Sequence, residues 1–285
     1  MLTRYRNYLE IYDRSSATIK SYLDTAEKYL FYLKTNNKPL RDTTSADIIN
    51  FFTDCCLALS AKSKNQKLAA LKNFYKFLLI DNYLSIDPTV TVPRFKEPVR
   101  EPQALNEQEI IDILSAAQGT RNSIRNKAII TTILICCLRC SEAANLNLSD
   151  FKNNTIHVIG KGNKERYIPY SDTVREVLEE YLSGRPQTSS NALFLSERTH
   201  ERISVRSIQN LMETISKQTG IDFHAHTLRH TGATYVYQAT GDIVSVQEIL
   251  GHSNLNTTRH YIHLPNTAKQ QAISASSLNN LLLEK

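Results

Sequence analysis

Apolar side chains recur along the first third of the chain at the three- and four-residue intervals of a helix face. Ile19, Tyr22, Leu23, Ala26, Tyr29, Leu30 and Leu33 form one such row, and Ser15-Ser16 can cap its start. Thr44, with Asp47 three residues on, resembles an acidic capping box and predicts a helix reaching about Leu59. Leu68, Leu71, Phe74 and Leu78 mark a third helix, whose polar side carries Lys62, Lys64, Lys67, Lys72 and Lys76. The three patterns predict a small all-helical N-terminal bundle.

The periodicity then breaks. Four of the eight prolines fall in the stretch PTVTVPRFKEPVREP, Pro88 to Pro102. Proline lacks the backbone donor and disfavours helix in the residue before it, so the stretch reads as extended. This divides the chain into residues 1–98, a linker at 99–105 and a second domain at 106–285. Asn106-Glu-Gln-Glu109 is a helix-start signal, and a largely apolar helix follows through Ile129–Cys137. Thr155–Ile159 is β-branched, Gly160–Lys164 reads as a turn and Glu165–Pro169 as the returning strand. From Ser171 the pattern is mainly helical, with Ala192–Leu195 as a short strand. The expected fold class is mainly α: a helical bundle, then a mixed, mostly helical domain with a small β-hairpin.

Composition narrows the function classes. An apolar fraction of 41% and a charged fraction of 22% describe an ordinary globular protein. The net charge of +6 favours an anionic partner, and it is unevenly shared. Residues 1–98 hold 15 Lys+Arg against 10 Asp+Glu, whereas the remainder holds 19 against 18. The bundle therefore has the excess that gripping a DNA backbone requires, although a solvated lysine face would look the same. Cys55, Cys56, Cys136, Cys137 and Cys140 are odd in number and lie in apolar runs, which points to reduced thiols rather than disulfides. Cys137 and Cys140 form a C-x-x-C without a second ligand pair, so no zinc site is expected. The longest apolar run is too short to span a bilayer and no secretory signal is present, so a cytoplasmic protein without membrane contact is expected.

The residues able to carry chemistry cluster late. Six of eight histidines fall between His224 and His263, five of them in HTLRH, GHS and RHYIH. On a helix, His226 and Arg229 share a face with Cβ atoms about 5–6 Å apart. An arginine fork binds phosphate in a bidentate way, imidazole relays protons near neutrality, and the hydroxyl of Tyr261 can attack phosphorus. Tyrosine ionises near pH 10, so attack needs a base, for which His226 is the candidate. Upstream, Arg139 and Glu142 are placed for an ion pair or an anion. Lys161 lies between glycines at a hairpin tip, where it can donate a proton; Lys164 and Arg166 compete for that role, and Tyr167 and Tyr170 are alternative tyrosines.

The stretches LRCSEAANL, GKGNKERYIP, HTLRH, GHSNLNTT and RHYIH, in that order, resemble the tyrosine site-specific recombinases, and most closely their two-domain Xer-like group. The resemblance covers nearly the whole chain. It implies a SAM-like core-binding domain followed by a catalytic domain. It also implies that Arg139 and Arg229 bind the scissile phosphate, Lys161 protonates the leaving 5′ oxygen, and His226 and His252 flank the phosphate. Tyr261 would be the nucleophile and Glu142 the support of the first arginine. Cys137 stands where the family usually has glycine. The implied reaction needs no cofactor, because a covalent 3′-phosphotyrosine conserves the phosphodiester energy. Four protomers would act on two double-stranded DNA core sites through a Holliday junction, with room for accessory proteins or accessory DNA sites. The apolar segment Ala268–Leu283 is expected to dock into a neighbouring protomer.

Three rival readings carry different expectations. A metal-dependent HUH nickase would use His224-Ala225-His226 from a β-sheet. An architectural DNA-binding module would have lost reactive positions. A type IB topoisomerase would relax DNA without site preference. The chain starts close to the first bundle helix, which favours resolution of cointegrates or dimers of a mobile element or plasmid over phage-type or conjugative-element integration, with chromosomal Xer-like dimer resolution as the other alternative.

Overall fold

The computed structural model describes residues 1–98, 103–152, 154–160 and 164–251. The chain forms two units, Met1–Arg100 and Glu101–Lys285. Linker residues 99–102 and the segment 268–283 lie outside the described residues.

The first unit is a bundle of helices α1 (Leu2–Ile11), α2 (Ser16–Thr35), α3 (Ser45–Cys56) and α4 (Ala61–Ile80). Hydroxyl caps set three of the starts: Ser15 accepts from the Thr18 N–H, Thr44 from Asp47 and Ser60 from Ser63. The Asp47 carboxylate in turn accepts the Thr44 N–H at 2.8 Å, completing the expected box. The predicted apolar rows meet in one core of Tyr29, Leu33, Phe51, Leu71, Phe74 and Leu78. Helix α1 was not expected from the periodicity. It contributes only Tyr5 and Leu9 to the core, one turn apart, too few anchors to stand out between Arg4, Arg6 and Glu10.

The first half of the proline stretch is not free chain. Thr89 and Val92 are buried, and Asn65 clasps Phe95 through both backbone groups, at 2.9 Å each. The Phe95 ring packs on Phe52 at 4.9 Å. Apolar residues among the prolines thus fasten the segment to the bundle through Phe95.

The second unit surrounds α6 (Ser123–Ile135), which packs against α5 (Glu107–Gln118), α8 (Asp172–Ser183) and α10 (Ala225–Thr240). With neighbours on several sides, α6 buries seven of its thirteen residues, hence its nearly unbroken apolar run. Short helix α7 (Cys140–Asn145) follows, then an antiparallel sheet β1 (Phe151–Lys152), β2 (Thr155–Ile159), β3 (Glu165–Pro169), in that order. Pairing of Ile159 with Glu165 and Thr155 with Pro169 fixes the hairpin register. Ile156, Val158 and Ile168 point to the core. Helices α9 (Val205–Thr219) and α11 (Ile243–Leu250) complete the described elements.

Ala192–Leu195 is not a strand. Isolated bridges pair Ala192 with Asn147 and Leu195 with Arg202. All four side chains are buried, so the segment packs as a fully enclosed loop rather than as an alternating ribbon. The two-residue β1 was also unforeseen, being too short to show a period.

Candidate active site

The site is built from the way α6 ends. The Leu138 N–H closes on the Ile133 carbonyl at 3.1 Å, a Schellman closure that requires a left-handed residue in between. That residue is Cys137, with φ of 50°. Its thiol is buried, and burial pushes its pKa up to about 12 against the nearby charges of Arg229 and Arg166. The reversal leaves Arg139 in extended geometry (φ −71°, ψ 151°) at the cap of α7. Glu142 then lies at the third helical position, where its carboxylate accepts the Arg139 N–H at 2.8 Å and Nη1 at 2.7 Å.

Glu142 is 5% exposed and faces two further guanidiniums. Arg166 of β3 donates Nη1 to Oε1 at 3.0 Å and Nη2 to Oε2 at 2.8 Å. Arg229 of α10 donates Nη1 to Oε2 at 3.4 Å. Burial is the largest single influence on this carboxyl and by itself would raise its pKa. The hydrogen bonds and charges of Arg166 and Arg139 together outweigh it and hold the pKa at about 2. Three guanidiniums around one ionised carboxylate leave a local positive surplus, an environment suited to a further anion.

Arg229 is itself buried, with 1% exposure. Nη1 donates to the Cys137 carbonyl at 2.8 Å and Nη2 to the Leu250 carbonyl at 2.7 Å, at the ends of α6 and α11. Gly232 permits this approach of α10 to α6: a Cβ there would lie 1.9 Å from the Leu134 carbonyl oxygen. His226 lies three residues before Arg229 on α10, yet it is exposed where Arg229 is enclosed. Arg139, whose side chain is 36% exposed, lines a cleft of about 380 Å³ together with His224, His226, Glu213 and Asp222. His224-Ala225-His226 opens helix α10 rather than lying on a sheet, contrary to the HUH geometry.

Lys161, His252 and Tyr261 lie outside the described residues. A glycine precedes each of the segments that hold the first two. A Cβ on Gly160 would lie 3.7 Å from Glu142 Oε1, and one on Gly251 would lie 3.1 Å from Arg166 Cδ. The chain enters both segments beside the same carboxylate–arginine cluster.

Arg166 itself is the residue that reading the sequence undervalued. It stood as a rival proton donor to Lys161, but its fork is engaged by Glu142 and its Nε by the Ile249 carbonyl at 2.9 Å. The available signal was strand alternation: Arg166 sits two residues before buried Ile168, on the inward face, where a guanidinium requires partners. Of the alternative tyrosines, Tyr167 is exposed and stacked on His157, and Tyr170 packs against Phe151. Among the described residues, no group of three or more His, Cys, Asp or Glu is arranged to hold a metal ion, and no helix is long and apolar enough to cross a membrane.

Residues 103–267 match the phage integrase family and residues 2–81 match its N-terminal SAM-like domain. The tyrosine recombinase XerC of Caldanaerobacter subterraneus subsp. tengcongensis is 31% identical, over 98% of this chain and 87% of the relative. The crystal structure of the XerH site-specific recombinase bound to difH substrate is 25% identical, with TM-score 0.72 over 90% of this chain and 78% of XerH. A lambda integrase tetramer bound to a Holliday junction shares the fold, with TM-score 0.74 at 18% identity over 89% and 76% of the two chains. The chain belongs to the phage integrase family of tyrosine recombinases, enzymes that cut and rejoin DNA.

Proposed function

From that membership we propose that this recombinase acts at double-stranded DNA core sites as a homotetramer, through a covalent 3′-phosphotyrosine at Tyr261 and a Holliday junction. The observation that carries the reading is the convergence of Arg139 and Arg229 on Glu142, with Arg139 opening onto the cleft lined by His226. In the proposed step, the Tyr261 oxygen attacks phosphorus while His226 accepts its proton. The bond from phosphorus to the 5′ oxygen breaks, and Lys161 protonates that oxygen. Arg139, Arg229 and His252 stabilise the charge that grows on the nonbridging oxygens. Glu142 holds the two arginines without neutralising their combined charge. The DNA-bound XerH complex and the lambda integrase tetramer support the choice of partner and assembly.

The proposed role in the cell is resolution of cointegrates or dimers of a mobile element or plasmid, in the cytoplasm. Segment 268–283 is proposed to dock in trans, and the domain boundary to fall at 99–105. A nicked suicide substrate bearing the core site tests the chemistry. The parent protein should accumulate a covalent protein–DNA adduct in EDTA, and Tyr261→Phe should form none. An adduct that persists in Tyr261→Phe would refute the assignment of the nucleophile. Relaxation of supercoiled DNA lacking any core site would instead favour the topoisomerase reading.

A further inference from the structure

The β2–β3 hairpin presents its loop from a narrow base. The Gly160 N–H donates to the Lys164 carbonyl at 2.7 Å, which ties the end of β2 to the residue before β3. A two-stranded hairpin is marginal in water and needs support from outside itself. At the far end, β1 supplies it by pairing Phe151 with Ile156 and Lys152 with Thr155. Near the loop, Arg166 reaches out of the hairpin. Its side chain is 11% exposed and gives two bonds to Glu142 of α7 and one to the Ile249 carbonyl of α11. Gly251 leaves the space it occupies: a Cβ there would crowd Arg166, at 3.1 Å from Cδ and 3.3 Å from Nη1, whereas one on Gly160 would only touch Nη1 at 3.5 Å.

We propose that Arg166 is a positioning residue, tethering the loop end of the hairpin to the Arg139–Glu142–Arg229 cluster so that the loop residue Lys161 meets the phosphate those arginines bind. The inference rests on the reading of Lys161 as the leaving-group acid. A planar fork with three acceptors fixes both distance and orientation, whereas a lysine is a single mobile point charge. Arg166→Lys therefore keeps the charge and loses the alignment.

The experiment compares cleavage of two suicide substrates, one with the ordinary 5′ oxygen and one with sulfur at that bridging position. A thiolate is a far weaker base than an alkoxide and departs without a proton, so loss of the acid matters little on the sulfur substrate. Arg166→Lys and Arg166→Ala should slow cleavage of the oxygen substrate by about 30-fold or more, a large part of the roughly 100- to 10,000-fold that a positioned acid contributes, and of the sulfur substrate by less than about 3-fold. Adding Arg166→Ala to Lys161→Ala should cost no more than about 2-fold further, since a tether to an absent acid has nothing to position. Melting temperature and core-site binding of Arg166→Lys show that the fold is intact.

Equal losses on both substrates, or multiplicative losses in the double variant, would overturn the inference. These are distinguishable from failure of the underlying reading. Lys161→Ala that cleaves the oxygen substrate at the parental rate removes the acid role of Lys161 and the inference with it. An impaired Lys161→Ala combined with multiplicative losses removes the inference alone.

Discussion

Replacing Glu142 by Gln tests the centre of the site, because it removes one charge while keeping the shape. The carboxyl pKa falls from an ordinary 4.5 to about 2 in the folded protein. At about 1.4 kcal/mol per unit, ionised Glu142 contributes about 3 kcal/mol of stability. A depressed folded-state pKa means that the contribution is complete above pH 4.5 and is lost as the pH falls towards 2. Gln also turns an amide N–H₂ towards an arginine donor and leaves three guanidiniums without their counter-charge, so the substitution should cost at least that amount at neutral pH. For a unit of this size, the cost corresponds to a drop in melting temperature of about 6–12 °C. The assay is thermal melting of parent and Glu142→Gln from pH 7 down to pH 3. The gap should be full at pH 7 and 5 and should narrow below pH 4.5, because the unfolded parent takes up a proton there while folded Glu142 stays ionised down to about pH 2. A variant melting within about 2 °C of the parent at pH 7, or a gap constant down to pH 3, would refute the account.

Gly232→Ala places a methyl against the Leu134 carbonyl, where no side chain can yield, and should destabilise by about 3 kcal/mol or more while lowering cleavage; chemical denaturation checks the first and suicide-substrate turnover the second. At position 137, Cys137→Gly should be more stable than Cys137→Ala by about 1 kcal/mol, because only glycine occupies the left-handed region without cost. Elsewhere in a helical segment the order of those two residues is reversed, so paired denaturation curves give a clear sign. Thiol labelling at pH 8 should modify exposed Cys55 first, with Cys136 and Cys137 protected until unfolding because burial pushes both thiols up to about 12.

The elements legible in the sequence are those stabilised by near neighbours along the chain. Capping boxes at Thr44/Asp47 and Asn106/Glu109 are three-residue devices, and both form with both of their bonds. The apolar rows of α2 and α4 are long enough to reveal a helical period, and the β2–β3 hairpin carries its own turn. Helix α1, with two anchors, and strand β1, with two residues, are too short to announce themselves. Ala192–Leu195 shows the opposite failure: an apolar run read as a strand is a buried loop, because burial on all sides erases the alternation that would tell the two apart.

The same division holds within the site. The sequence by itself determined the family, through motif order, and the pairing of Arg139 with Glu142, three residues apart across the first turn of α7. It could not determine that Arg166 and Arg229, 24 and 87 residues away from Glu142, share that carboxylate. Nor could it show that Cys137 adopts the backbone usually given to glycine, or that Gly232 exists to let α10 approach α6. Those outcomes belong to the tertiary structure. A buried charge has to find partners wherever packing brings them, and packing is settled by the whole unit rather than by local spacing.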